Sequence, residues 1–379
     1  MGHEAVGVGC GTTRVAIVGG GIGGLTVARA LCQRGAAVSV FERREELPTV
    51  GAGIILGPNA LAVLEALGLG EALRGAGHPL SGLVLTDARG RTLQRVEHTG
   101  LGASFRRGEL LSILAQGLSV RFGSALDEVE QVGDRVRIAG VEGSWDWLIG
   151  ADGIRSATRS SLGRAARSRY SGQTCWRFVA PTGLDERRWA EERWGTDRRV
   201  GLVPLREGTY CYLVRSAPRG TTATPTSRSE LCAEFGGLHP LVPHLLAELG
   251  DGPLLHNDLE DHEAIDFGSG RIILLGDAAH AVTPNLGQGA GMAIEDAWVL
   301  AWSMAETDPL AAYSRRRRER VERVWRTSAR LGTIAHARGS LIRWCRDLAM
   351  RWTPASVVRA QSRWLAQGVV REALPSASP

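Results

Sequence analysis

The stretch Arg14-Val-Ala-Ile-Val-Gly-Gly-Gly-Ile-Gly-Gly-Leu25 decides the fold of this 379-residue chain. It is typical of a short β-branched strand, a glycine-rich turn and the start of a helix, because apolar residues recur at helical spacing from Leu25 to Leu31. A second apolar strand, Ala37–Phe41, follows and ends at Glu42. These segments predict a βαβ unit and therefore a parallel sheet.

The glycines of the turn match the Gly-x-Gly-x-x-Gly pattern of dinucleotide-binding folds. A helix N-terminus offers free N–H groups and a favourable dipole to a pyrophosphate, and Glu42 can accept hydrogen bonds from ribose hydroxyls. An acidic residue there would repel a 2′-phosphate, which favours FAD or NAD over NADP. The alternative is a purely structural turn. The predicted phosphate-binding glycines are Gly19, Gly21, Gly23 and Gly24.

Outside this unit the pattern predicts an α/β fold with a doubly wound parallel sheet and an inserted antiparallel domain. Residues 58–74 read as one helix, and residues 147–149 and 271–275 read as buried strands returning to the parallel sheet. The predicted nucleotide-binding domain is discontinuous and comprises residues 1–77, 97–167 and 267–309. The predicted substrate domain comprises residues 78–96 and 168–266, and residues 310–379 form C-terminal helices that pack on the nucleotide-binding domain.

Composition excludes several kinds of chemistry. The chain contains no lysine, so neither a Schiff base nor a P-loop lysine is possible. Its six cysteines form no Cys-x-x-Cys pair, and its nine histidines include no His-Glu-x-x-His, so we expect no metal site and a reducing, cytoplasmic location. No apolar run approaches the length of a membrane-spanning helix, so we expect no stable membrane insertion.

Three separated motifs resemble the class A FAD-dependent monooxygenases, the aromatic hydroxylases with the p-hydroxybenzoate hydroxylase fold. These motifs are the glycine fingerprint with Glu42-Arg43, the Gly150–Ser156 segment and the Gly276–Asp296 segment. Gly51–Ile54 and Arg106–Leu110 occur between them in the expected order. The resemblance implies that the parallel-sheet domain binds FAD, and that NADH or NADPH acts as a transient reductant.

The resemblance also implies the cofactor-binding residues. Asp277 would hold the ribitol chain, although it could be an ordinary helix N-cap. The small residues that open the next helix would face the flavin ring. Asp152 would serve the FAD and the nicotinamide donor, with a strand-end cap as the alternative. The remaining implied contacts are Arg43, Gly53, Arg107, Gly287, Gly289, Ala290, Gly291 and Met292.

Three residues are predicted to take part in catalysis or substrate binding. Pro284 matches the family proline that faces the flavin, and Arg199 matches an arginine that engages substrate in the urate hydroxylases of this family. The corresponding tyrosine aligns nearest to Cys211, so Tyr212 is assigned the role although it would lie on the opposite face of the strand. Because of this departure we do not assign urate as the substrate. His280 is expected to be structural rather than a proton donor.

The resemblance implies a monooxygenase that uses O2 and transfers one oxygen atom to a small aromatic or other electron-rich molecule through a flavin C4a-hydroperoxide. FAD-dependent epoxidation or Baeyer-Villiger oxygenation in natural-product biosynthesis stays open, as does a non-catalytic binding protein on the same fold. A flavin halogenase is disfavoured because its lysine is missing, and a disulfide reductase because it needs a cysteine pair. The oligomeric state is not predicted.

The C-terminal segment is strongly basic. Residues 310–379 contain 15 arginines and 4 acidic residues, as well as four tryptophans. Arginine beside tryptophan could indicate membrane or nucleic-acid binding. Periodic apolar residues favour helices that pack their Leu, Ile and Trp face on the FAD domain, with the arginines outward. We therefore predict no nucleic-acid partner.

Overall fold

The computed structural model describes residues 12–48, 52–126, 128–164, 167–184, 188–221 and 226–367. The strands in these ranges are β1 (Arg14–Val18), β2 (Ala37–Phe41), β3 (Gly53–Leu56), β4 (His78–Asp87), β5 (Thr92–Arg106), β6 (Val120–Arg121), β7 (Val129–Val132), β8 (Arg135–Ile138), β9 (Val141–Trp145), β10 (Trp147–Gly150), β11 (Ser168–Ala180), β12 (Trp189–Trp194), β13 (Arg198–Pro204), β14 (Thr209–Ser216), β15 (Leu255–His262), β16 (Gly268–Ser269) and β17 (Ile272–Leu274). The helices are α1 (Ile22–Gln33), α2 (Pro58–Ala66), α3 (Gly70–Ala76), α4 (Arg107–Ala115), α5 (Ala157–Ser161), α6 (Arg228–Phe235), α7 (Leu241–Glu248), α8 (Asp277–His280), α9 (Gly289–Ser303), α10 (Pro309–Ala335), α11 (Ser340–Trp352) and α12 (Ala355–Ala366).

The first sheet has the order β16-β17-β10-β1-β2-β6, and all its pairs are parallel except β16 with β17. Its central strands are almost entirely apolar because both faces are covered. Helices α1 and α9 pack on one side, and the small sheet β7-β8-β9 covers the other. The strands come from distant parts of the chain, which confirms the doubly wound parallel sheet.

The second sheet has the order β15-β11-β14-β13-β12-β4-β5-β3. It is antiparallel, as predicted, except that β12 pairs with β4 in parallel. Its outer face packs on α6 and α7, two helices that the sequence pattern did not predict, through a core that includes Trp176, Phe178, Leu213 and Phe235. The opposite face looks towards the parallel-sheet layer. The parallel sheet and the antiparallel sheet of the predicted fold class are both present.

The predicted domain ranges stay a prediction, but hydrogen bonding crosses two of their boundaries. Strand β5 continues past residue 97 to Arg106, and β3 pairs with it at Gly53–Leu56, so both belong to the second sheet. The helix predicted over residues 58–74 is two helices, α2 and α3, separated at Gly68. Its φ of +79° is a left-handed conformation that ends a helix.

The C-terminal helices differ from the prediction in two respects. Helix α10 packs against α9 as expected, but Arg317 on it is completely buried rather than outward. Its guanidinium pairs with two buried carboxylates, those of Glu295 and Asp296, each at 2.7 Å. Helices α11 and α12 contact strand β5 of the second sheet, and α11 leaves most of its large apolar side chains exposed. The prediction that the apolar residues of the tail pack inward is therefore wrong for α11.

Candidate active site

The glycine-rich turn connects β1 to α1, and its glycines are required by close contacts. Gly19 has a φ of +108°, and a Cβ there would overlap the backbone of Ala151. A Cβ at Gly24 would overlap the carbonyl of Gly19, and a Cβ at Gly23 would lie 2.7 Å from Leu275 Cδ1. Gly21, by contrast, has open space around it. No side chain caps the first amides of α1, so they are free to bind an anion at this open point.

Glu42 lies beside this turn, at the end of β2. Its Oε2 accepts a hydrogen bond from the Gly20 N–H at 2.6 Å, and its Oε1 accepts one from the Arg44 N–H at 3.0 Å. These bonds hold the carboxylate in place and leave lone pairs for ribose hydroxyls. Arg43 is exposed, and among the described residues its side chain makes no ion pair.

Asp277 lies just beyond the end of β17. The accessible region bordered by Asp277, Arg107 and the start of α9 is here called the cleft. The residue is exposed although Gly276 and Ala278 on either side of it are buried, and its carboxylate makes no hydrogen bond or ion pair with the described residues. It is therefore not the N-cap that the sequence left as an alternative.

Arg107 lines the same cleft. It is accessible to solvent, yet surrounding protein lowers the pKa of its guanidinium by burial, and the nearby Asp277 carboxylate opposes this effect. Together, Arg107 and Asp277 offer a cation and an anion close to each other in this accessible region.

A second glycine-rich segment faces the cleft from the start of α9. Pro284–Leu286 forms one turn of 3₁₀-helix, and Gly287 then takes the left-handed conformation with a φ of +61°. A Cβ at Gly289 would meet only Val282, at 3.9 Å, and no side chain caps the first amides of α9. Ala290 is partly buried at this end. This helix N-terminus is thus a second free anion-binding position.

Two residues that are predicted to contact the cofactor also have contacts within the protein, and their predicted role stays a prediction. The Asp152 carboxylate accepts hydrogen bonds from Ser156 Oγ at 2.6 Å and from the Thr158 N–H at 3.0 Å, so it caps the turn before α5. Met292 is fully buried behind the start of α9. Gly291 lies in the first turn of α9, where a Cβ would be 3.3 Å from Asn59 Nδ2.

His280 is structural, as expected. It is 2% exposed, and its Nε2 lies 2.6 Å from Asp296 Oδ2. The same carboxylate oxygen accepts the Gly276 N–H at 2.9 Å. This bond anchors the loop that presents Asp277.

The face of the second sheet that looks towards the parallel-sheet layer, here called the inner face, carries a row of residues in direct register. In the strand register, Arg177 lies opposite Tyr212, Tyr212 lies opposite Gly201, and Gly201 lies opposite Glu192. A Cβ at Gly201 would overlap the Tyr212 ring, so this glycine lets the ring cross to Glu192 and donate its hydroxyl hydrogen bond. Burial raises the pKa of Tyr212, and the Glu192 carboxylate raises it further, so the hydroxyl stays protonated.

Tyr212 and Arg199 share the inner face, whereas Cys211 points to the other side and packs with the outer-face core around α6 and α7. The structure thus places the predicted arginine and tyrosine together. Tyr210 also lies on the inner face, where its ring contacts the backbone of Gly53 so closely that a Cβ on Gly53 would overlap it. That contact, between β3 and β14, explains the need for glycine at position 53.

Glu192 is the residue that sequence reasoning missed. Its carboxylate accepts hydrogen bonds from the Trp194 indole at 2.6 Å and from Tyr212, and it lies 3.4 Å from Arg199 Nη1. Arg199 is only 2% exposed, so the guanidinium charge is compensated inside the protein. The Glu-Arg-Trp pattern at residues 192–194 carries no recognisable signal for this role.

Asn285 connects this cluster to the cleft. Its Oδ1 accepts a hydrogen bond from Arg199, while its Nδ2 donates to Thr283 Oγ1 and to the Ser328 carbonyl, each at 2.9 Å. Because Asn285 directly follows Pro284, the inner face and the turn before α9 are tied together. Pro284 itself is exposed and faces open space.

The residues fit FAD. Open space at Gly21 and free amides at two helix N-termini suit a pyrophosphate and an electron-rich ring, and the unpartnered Asp277 carboxylate suits polyol hydroxyls. No group of three or more His, Cys, Asp or Glu side chains that could hold a metal occurs in the described ranges. Among those same residues, no helix has the length and apolar character to cross a membrane. The fold and the cleft define an FAD-dependent oxidoreductase.

Comparisons with known proteins identify the family. The family described as FAD binding domain matches residues 12–328. Aurachin C monooxygenase/isomerase of Stigmatella aurantiaca is 36% identical over 369 residues, covering 92% of this chain and 96% of the relative. The 2-heptyl-3-hydroxy-4(1H)-quinolone synthase of Pseudomonas aeruginosa is 34% identical, covering 94% and 98%.

A solved structure agrees with these relatives. The crystal structure of Klebsiella pneumoniae HpxO with FAD and uric acid superposes with a TM-score of 0.84 at 26% identity, covering 94% of this chain and 97% of that one. The chain belongs to the FAD-binding-domain family and is a class A flavin-dependent monooxygenase. The predicted fold, cofactor and enzyme class are confirmed, and a non-catalytic binding protein is excluded.

Proposed function

We propose that the protein is an NAD(P)H-dependent hydroxylase of a neutral, electron-rich heteroaromatic molecule, with 4-quinolones as the leading substrate class. The observation that carries this proposal is the compensation of Arg199 by Glu192 on the inner face. A site that selects a carboxylate would be expected to leave its arginine charge free for the ligand. Here the nearest carboxylate belongs to the protein.

The polar groups that would meet a neutral substrate include an arginine whose charge is already paired within the protein. Tyr212, Arg199 and Asn285 are connected through the Glu192 carboxylate, so they can orient a ring carbonyl or N–H of a ligand that carries no full charge. The apolar residues Ala190 and Val203, which are buried beside Tyr210, limit the water near such a ring. A dry pocket suits a ring that must be shielded during oxygen transfer.

The two relatives named above support the same class. One carries hydroxyquinolone synthesis in its name and the other acts on an aurachin, and each covers more than nine-tenths of this chain. The proposal therefore follows the pairing of Arg199 with Glu192 and the names of these relatives.

The described residues would have distinct roles in binding FAD and the substrate. Asp277 and Arg107 would hold the polyol and phosphate parts of FAD, and the first amides of α9 would stabilise negative charge on the ring. Bound FAD supplies the two-electron chemistry that takes hydride from NADH or NADPH and activates O2. Pro284 has no N–H to donate and, with Asn285, would shape the space between the ring and the substrate.

A matched panel tests the proposal. FAD-loaded protein is given NADH or NADPH with 4-quinolones and phenols, and with carboxylated analogues such as salicylate, and the increase in NAD(P)H oxidation and the hydroxylated product are measured for each. We expect neutral 4-quinolones to give coupled product at the highest kcat/KM. A clear preference for the carboxylates would contradict the proposed substrate class while leaving the enzyme class intact.

A further inference from the structure

Helix α11 is amphipathic, and its apolar side faces away from the protein. Its stripe of apolar residues, spaced three or four positions apart, is here called the apolar stripe and consists of Leu341, Trp344, Cys345, Leu348 and Trp352. Leu341 is 70% exposed and Trp352 is 79% exposed. In a helix that packs on a core, this stripe would be the buried side.

The opposite side of α11 is the one that packs, and it is held by polar contacts. Arg346 is buried, donates to the Ala335 carbonyl at 3.1 Å and stacks over Trp194, while Arg351 pairs with Asp87 at 2.7 Å. These contacts fix the rotation of the helix. The outward position of the apolar stripe is therefore determined by named interactions of this chain.

The C-terminal segment that carries the apolar stripe is positively charged. Arg330, Arg343 and Arg359 make no ion pair with the described residues, and the only acidic residue on α11, Asp347, is already paired with Arg346. The tail as a whole has 15 arginines against 4 acidic residues. The exposed tryptophan and leucine side chains of the apolar stripe therefore belong to a strongly basic segment.

We propose that the apolar stripe is a peripheral membrane-binding surface that inserts into the headgroup region of an anionic lipid bilayer. Tryptophan at the water interface, aliphatic residues below it and arginine around it are the composition of helices that lie in a membrane surface. A second copy of the chain is disfavoured as the occupant because it would bring two strongly basic segments together. A nucleic acid would leave the apolar side chains exposed to water.

Binding to a bilayer through the apolar stripe would give the enzyme access to lipophilic substrates. Arg346 stacks on Trp194, and Trp194 donates a hydrogen bond to Glu192 on the inner face. Two contacts thus separate α11 from the proposed substrate site. A protein bound through the apolar stripe would hold that site close to the bilayer, but the membrane proposal stands whatever the substrate is.

The test uses full-length, FAD-loaded protein and sedimentation with vesicles. Equal parts of phosphatidylglycerol and phosphatidylcholine are compared with phosphatidylcholine alone. We expect strong binding only to the anionic vesicles, with a loss of about tenfold or more in the double variant Trp344→Gln/Trp352→Gln. Raising the salt concentration should weaken binding several-fold, because basic residues of the tail near the bilayer surface contribute to attraction by anionic lipid.

The matched control is Phe122→Gln/Leu255→Gln, which removes two exposed apolar side chains elsewhere on the surface. It should bind vesicles like the unchanged protein, and flavin content checks that every variant is folded. A second pair, Leu341→Ser/Leu348→Ser, should repeat the loss. Equal binding of all variants, or no binding of the unchanged protein, would overturn the proposal. So would a dimer, seen by light scattering, that the tryptophan variant dissociates.

Discussion

Glu192→Gln removes the negative charge beside Arg199 while it keeps the size of the side chain and one acceptor oxygen. The carboxylate lies 3.4 Å from Arg199 Nη1, and the arginine is 2% exposed. At an effective dielectric constant of about 20, two unit charges about 4 Å apart interact by about 4 kcal/mol. The substitution therefore leaves a largely uncompensated positive charge on the inner face.

An anionic ligand recovers part of that energy, because it can take the place of the lost carboxylate charge. Its own desolvation offsets another part, and a net gain of about 1.4 kcal/mol corresponds to a tenfold lower Kd. A neutral ligand of the same shape gains no such energy. We expect the Kd of salicylate, relative to that of salicylamide, to fall about tenfold in Glu192→Gln.

The assay follows the absorbance of bound flavin while FAD-loaded protein is titrated with each ligand. Glu191→Gln is the matched control, because Glu191 is the next residue on the same strand but points to the other face and pairs with Arg193. In Glu191→Gln, the Kd of salicylate relative to that of salicylamide should equal the ratio measured for the unchanged protein. If Glu192→Gln also has the ratio of the unchanged protein, charge compensation is not the basis of substrate choice.

Three further predictions follow from the described contacts. Asp277→Ala removes a charged hydrogen-bond partner, so the Kd for FAD should rise by about tenfold to a hundredfold, measured by fluorescence titration of the apoprotein; unchanged affinity would remove Asp277 from the site. Arg317→Met leaves Glu295 and Asp296 buried without their main cation and should lower the free energy of unfolding by about 3–5 kcal/mol in urea, whereas a change below about 1 kcal/mol would show that the remaining partners suffice. Burial lowers the pKa of His336 to about 3, so between about pH 6.5 and that value the unfolded chain binds a proton that the folded chain excludes. The free energy of unfolding should therefore fall as pH drops through this window. In His336→Gln the urea midpoint should fall less steeply with decreasing pH. An unaltered pH dependence of the urea midpoint would contradict this prediction.

The parallel-sheet domain could be predicted because its signals are local. The strand, turn and helix around Gly19–Gly24 follow one another directly in the sequence, although the contacts that require glycine at positions 19 and 23 come from Ala151 and Leu275, far along the chain. Asp277 could be placed in the same way, since it directly follows an apolar strand. In these segments the structure has the strands and the helix that the local sequence pattern predicts.

The inner face could be predicted only in part because it depends on strand register. Glu192, Arg199 and Tyr212 meet across three strands, and a shift of one residue would turn each side chain to the opposite face. Asn285 joins them from a distant turn. No pattern within any one segment indicates that Glu192 neutralises Arg199.

Helix α11 illustrates a different limit. Its periodicity gives the apolar side correctly, but periodicity does not say whether that side is covered by the protein. Arg346 and Arg351 decide the rotation through partners more than 10 positions away in sequence. Only tertiary contacts could show that the apolar stripe faces outward.

The most direct test of the proposed function is the mass of the product formed under isotope-labelled O2. FAD-loaded protein is incubated with NADH or NADPH and a neutral 4-quinolone, and the product is analysed by mass spectrometry. The account predicts a hydroxylated quinolone that contains one labelled oxygen atom. Oxidation of NAD(P)H that yields only hydrogen peroxide, with no labelled product from any neutral heteroaromatic compound, would contradict it.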